Sequence, residues 1–112
     1  MNLHNAFPYP LYLVLSEEAC LHHPYLQVAE QAIKGGVDVI QLREKNCTTE
    51  QFKTKANQLK EITTKYDIPL IINDNLDVAV HIDAEGIHVG NSDVPPSKIS
   101  EIWPNKMIGY SI

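Results

Sequence analysis

The chain has 112 residues, enough for one hydrophobic core and too few for several domains. Nine Lys and Arg stand against fourteen Asp and Glu, for a net charge of -5 with no basic run, which argues against nucleic acid or an anionic membrane surface as partner. No apolar stretch reaches the ~18 residues of a membrane span, and the amino terminus has no basic segment followed by an apolar one. The expectation is a cytoplasmic protein with no membrane partner, its Cys20 and Cys47 free thiols.

Leu11 to Leu15 follows Pro10 and reads as a first strand, apolar and too short for a helix. Pro24 opens a helix with Leu26, Ala29, Ala32 and Ile33 at helical spacing, stopped by Gly35 and Gly36. The second strand, Val37 to Lys45, places Val39, Gln41, Arg43 and Lys45 on one face and Ile40 and Leu42 on the other. Thr48 signals a helix start, and Phe52, Ala56, Leu59 and Ile62 form its apolar stripe up to about Tyr66. A third strand covers Pro69 to Asn73, a short helix Leu76 to Ile82, and a fourth strand Gly86 to Gly90. Pro96 starts a further helix with Ile99, Ile102 and Trp103 on one side, and Lys106 to Ser111 is a fifth strand. Strict alternation with short links predicts an α/β fold of parallel strands joined by right-handed crossovers.

A closed (β/α)8 barrel usually needs ~200 to 250 residues, so this chain supplies about half of one. It ends in or just after a strand, without the helix that would cover a parallel strand. The expectation is a single domain over residues 1 to 112, an incomplete TIM-barrel type that holds the first five strands. Exposed sheet edges then make self-association through the open barrel edge physically expected.

Chemistry collects at the carboxyl ends of the strands: Gln41, Arg43 and Lys45 from the second, Asn73 and Asp74 from the third, Asn91 and Asp93 after the fourth, and Ser111 from the fifth. Ligands are held at that end in parallel α/β sheets and barrels. Arg suits phosphate through its bidentate fork and Lys as a point charge. Asp74 and Asp93 suit Mg2+, which takes one or two carboxylates and completes its octahedron with phosphate and water. Cations beside carboxylates would hold a metal diphosphate, favouring reactions in which diphosphate departs.

Each element has a plainer reading. Arg43 and Lys45 flank Glu44 and would equally make a solvated charged edge. Asn73-Asp74-Asn75 also reads as a cap for the short helix, and Asn91-Ser92-Asp93 as a turn before Pro95. His22 and His23 lack a third metal ligand at suitable spacing, His81 ends a helix, and His88 reads as a satisfied interior group rather than a base. Neither cysteine has a cationic neighbour in sequence that would make it a nucleophile.

The constellation resembles the thiamine phosphate synthase family along essentially the whole chain. Tyr12-Leu13-Val14, Gln41-Leu42-Arg43-Glu44-Lys45, Ile71-Ile72-Asn73-Asp74-Asn75 with Asp77-Val78-Ala79, Gly86-Ile87-His88-Val89-Gly90-Asn91-Ser92-Asp93 and Ile108-Gly109-Tyr110-Ser111 carry the resemblance, in order. It implies a (β/α)8 transferase that joins hydroxymethylpyrimidine diphosphate to a thiazole phosphate. Diphosphate leaves first and the thiazole nitrogen captures the resulting pyrimidine methylene cation. By resemblance, Gln41 hydrogen-bonds the pyrimidine, Arg43 and Lys45 act catalytically by gripping the diphosphate, and Asn73 assists them. Asp74 and Asp93 ligate Mg2+, and Ser111 contacts the pyrimidine side.

Two departures stand out. Asn91 occupies a position where the family more often has Gln, and the last three strands are absent. With them go a Thr-containing segment, a further diphosphate-binding Lys and the Gly-rich loops that seat the thiazole phosphate. The 112 residues alone are therefore expected to be marginally stable and inactive as a synthase. The related thiazole tautomerase typically lacks the diphosphate-binding Lys and metal-binding Asp, so Lys45 and Asp74 speak for the synthase. A non-catalytic half-barrel that works by association is the alternative of another class.

Overall fold

A computed structural model of the chain describes residues 11–20, 24–90 and 93–110. His22, His23, Asn91, Ser92 and Ser111 lie outside the described residues. Five strands form one parallel sheet in sequential order: β1 (Tyr12–Leu15), β2 (Val39–Leu42), β3 (Leu70–Asn73), β4 (Gly86–Val89) and β5 (Met107–Tyr110). Between them run α1 (Tyr25–Lys34), α2 (Thr49–Lys65), α3 (Leu76–His81) and α4 (Pro96–Ile102). This is the α/β arrangement expected of the first five strands of a (β/α)8 barrel. Sequential order with right-handed crossovers puts every helix on one side of the sheet.

Local chemistry sets the helix ends. Thr48 Oγ1 accepts from Gln51 N at 3.1 Å while Gln51 Oε1 accepts from Thr48 N at 2.9 Å, a reciprocal cap that starts α2. After α1, Gly36 takes φ 111°, a turn open mainly to glycine, and lets the chain reverse into β2. Asn75, rather than its neighbours, caps α3, its Oδ1 accepting from Val78 N at 3.1 Å.

The core lies between the sheet and its helices. Ile40, Leu42, Leu70, Ile72, Ile87 and Val89 meet Ala29, Phe52, Ala56, Leu59, Val78 and Ile99, all buried. Trp103 is buried but Ile102 is exposed, contrary to the expected apolar side of α4. The helix ends at Ile102, and Trp103 leaves helical geometry with φ -138°, so helical spacing no longer decides which side chain reaches the core. Among the described residues no helix lies on the other face of the sheet, where Tyr12, Val14 and Met107 are half-exposed.

Candidate functional site

That second face becomes polar towards the carboxyl ends of the strands. Register places Val14, Gln41, Ile71, Gly86 and Met107 in one row across the five strands, with Asn73, His88 and Gly109 in the next row up. A Cβ added at Gly109 would sit 2.5 Å from His88 Nδ1, so a glycine there leaves room for the imidazole. His88 therefore faces the interior, as its alternation with Ile87 and Val89 requires.

An open cleft of about 870 Å³ lies over this row. It is lined by Gln41, Arg43, Lys45, Asn73, Asp74 and Asp93, six of the seven residues assigned to the site from sequence, together with His88 and Tyr12. Ser111, the seventh, lies outside the described residues.

The contacts divide the lining into a braced part and a charged part. Gln41 is only 5% exposed, and its amide is used on both sides. Nε2 donates to the Tyr12 hydroxyl and Oε1 accepts from Asn73 Nδ2, each at 2.8 Å. Three strands thus share one chain of hydrogen bonds. Arg43, by contrast, is exposed, and Lys45 forms an ion pair with Asp74. Asp74 reaches the cleft because it adopts φ 52° and donates its N–H to His88 O at 2.7 Å. With Asn75 performing the cap, the plainer reading of Asp74 as a helix cap is set aside.

Asp93 follows β4, its Oδ2 accepting from Gly90 N at 2.7 Å. Asp93 also lines the cleft. No group of three His, Cys, Asp or Glu able to hold a metal exists among the described residues. Asp74 and Asp93 line the same cleft, and Mg2+ needs only one or two carboxylates where phosphate and water complete its shell.

Sequence reasoning missed Tyr12 as a site residue. The available signal was its place two positions before Val14, on the face that Gln41 shares. The cysteines stay outside the site, and both are free thiols. Burial, then the carboxylates of Glu44 and Glu17, push the Cys20 thiol up, the opposite of what a nucleophile needs.

Sequential parallel strands with charged side chains gathered at their carboxyl ends define a (β/α)-barrel domain of the kind that holds ligands at that end. Within that class, the family model for thiamine monophosphate synthase matches residues 11–112, and the chain belongs to that family. It is 47% identical over 102 residues to the thiamine-phosphate synthase of Methanobrevibacter smithii, covering 90% of this chain and 48% of that protein. The thiamine-phosphate synthase of Fusobacterium nucleatum is 44% identical over 98 residues, with 88% and 48% covered. The solved thiamine phosphate pyrophosphorylase from Pyrococcus furiosus superposes with a TM-score of 0.82 at 32% identity, covering 99% of this chain and 52% of that one. The chain spans about half the length of the curated relatives it matches.

Proposed function

We propose that this chain forms the pyrimidine-diphosphate half of a thiamine phosphate synthase, an Mg2+-dependent transferase. The observation that carries the reading is the convergence of Arg43, Lys45, Asn73, Asp74 and Asp93 on one cleft at the strand ends. On this reading Arg43 and Lys45 grip the diphosphate and Asn73 supports them. Asp74 and Asp93 would hold Mg2+, which when bound offsets the negative charge growing on the departing diphosphate. Gln41, fixed by Tyr12 and Asn73, orients the pyrimidine through the donor and acceptor capacity left on its amide. The bond from the pyrimidine methylene to the diphosphate oxygen breaks, and a bond to the nitrogen of a thiazole phosphate forms. The thiazole phosphate site belongs, on this reading, to the half of the relatives that this chain does not match. The 112 residues thus bind the first substrate without turning it over. Free thiols at Cys20 and Cys47 support a cytoplasmic setting, and no helix among the described residues is long and apolar enough to cross a membrane.

The test is calorimetric titration of hydroxymethylpyrimidine diphosphate into the chain with and without Mg2+. Binding that needs Mg2+ and is lost in Arg43→Ala supports the reading, and binding indifferent to both overturns it.

A second reading, association through the open sheet, is favoured by one observation: Tyr12, Val14 and Met107 leave apolar surface on the helix-free face. Sedimentation across a concentration series tests it, because a strictly monomeric chain would remove self-association.

A further inference from the structure

From residue 41 to residue 46 the side chains alternate in task. Gln41, Arg43 and Lys45 line the cleft, whereas Glu44 and Asn46 turn back against the connection between β1 and α1. Glu44 Oε1 accepts from Glu17 N at 2.7 Å, and its Oε2 faces Lys55 Nζ of α2 at 3.4 Å. Lys55 lies at the same 3.4 Å from Glu17 Oε1. Asn46 Nδ2 donates to Glu18 Oε2 at 3.2 Å. The Glu44 side chain is 7% exposed, although that of Lys45 beside it is 45% exposed. Burial opposes the charge on Lys55, yet the carboxylates of Glu44 and Glu17 outweigh it and hold the ammonium pKa above the ordinary lysine value.

This arrangement matters because sheet pairing stops short of the cations. The register of β1 with β2 ends at Leu15 and Leu42, and Arg43 N donating to Leu15 O at 2.9 Å is the last bond of that ladder. Past that bond the chain leaves the sheet and bends at residues 45 to 47, so it needs another restraint, since an untethered segment would spend entropy each time two cations met one anion.

We propose that Glu44 is a positioning residue for the phosphate-binding cations: pinned to the Glu17 N–H and to Lys55, its carboxylate fixes the path of residues 43 to 46 beyond β2 so that Arg43 and Lys45 face the cleft together. The proposal rests on the diphosphate reading of the cleft and names the group outside the cleft that sets its geometry. Glu44 touches no reacting atom in this role.

The test uses the 112-residue chain, with magnesium pyrophosphate as the calorimetric probe and 15N relaxation of the backbone amides as a readout that needs no ligand. Glu44→Ala is expected to weaken pyrophosphate binding by roughly ten- to hundredfold and to loosen the amides of residues 43 to 46 while those of β3 stay rigid. Glu44→Gln, which keeps an acceptor for the Glu17 N–H, is expected to recover part of both and carries the test if the alanine variant does not fold. Lys60→Met removes an ion pair with Glu85 from the same helix but far from the cations, and is expected to leave affinity within about twofold, as loss of a partly exposed pair should. Wild-type affinity with rigid residues 43 to 46 in both Glu44 variants would overturn the proposal. So would an equal loss of affinity in Lys60→Met, since Glu44 would then act only through stability. If the wild type does not bind pyrophosphate, or Arg43→Ala binds it unchanged, the diphosphate reading fails instead. The relaxation data then judge the positioning role alone: mobile residues 43 to 46 in the Glu44 variants uphold it, and rigid ones overturn it.

Discussion

Asn73 donates from Nδ2 to Gln41 Oε1 at 2.8 Å, joining β3 to β2 through their side chains on the polar face of the sheet. Gln41 passes the chain on to the Tyr12 hydroxyl. An amide this buried is stable because both ends are partnered.

Tyr12→Phe is therefore expected to cost about 1 kcal/mol, the net worth of a hydrogen bond whose partner stays buried. Urea denaturation of the two chains measures it, and an unchanged midpoint would mean that solvent replaces the hydroxyl at the open edge of the cleft.

Asp74 separates binding from folding. Its φ of 52° is costly for any residue with a Cβ, and its ion pair with Lys45 is solvent-screened. Asp74→Gly relieves the first and loses the second, so stability is expected to stay within about 1 kcal/mol of wild type. On the proposed reading, in which Asp74 is one of two carboxylates holding Mg2+, magnesium-dependent binding of pyrophosphate should fall at least about tenfold. Unfolding of the glycine variant, followed by circular dichroism, would contradict this assignment.

Gly86 and Gly109 face the same side of the sheet with different consequences. An added Cβ at Gly86 lies 2.4 Å from Met107 O, a backbone atom fixed by the ladder. At Gly109 it meets the His88 ring, a side chain that can turn. Gly86→Ala is expected to cost about 1–3 kcal/mol as overpacking, and Gly109→Ala less. Thermal midpoints of the two variants should rank in that order.

Tyr25 supplies a signal at alkaline pH. Its phenol is buried against α2 and donates to Gln58 Oε1 at 2.8 Å. Burial first, then the charges of Glu17 and Glu44, push its pKa up to about 12. The folded state therefore holds this proton more tightly than the unfolded chain does. The stabilisation is fully present below the unfolded pKa of about 10 and is lost as pH rises from there through the folded value. Ultraviolet titration should show a late phenol ionisation that is absent in Tyr25→Phe. An identical titration of the wild type and Tyr25→Phe, apart from the loss of a phenol ionising near the ordinary value of about 10, would contradict it.

Much of the fold was legible because it rests on local rules. Period-two alternation identified the interior face of β2 and the inward turn of His88. Helical spacing and Thr48 marked α2. The order of elements implied parallel strands. Where short-range rules offered two outcomes, sequence could not choose. Asn73, Asp74 and Asn75 are all good capping types, and Asn75 took the cap only because Asp74 turned to positive φ with its N–H on His88 O. Ile102 had the right spacing for the core, but it is the last residue of α4, and the chain leaves helical geometry at Trp103, which takes the buried place.

By itself the sequence determined the alternation of strand and helix, the family, and the charged residue types at the strand ends, since each depends on neighbours a few positions apart or on motifs in order. Tertiary structure decided which of those residues share a cleft, that Tyr12 braces Gln41, and that Glu44 turns away to meet Glu17 and Lys55. Tyr12 and Gln41 lie 29 residues apart, and Glu17 and Glu44 lie 27 apart. Contacts across such separations follow from strand register and helix packing, which no local pattern encodes.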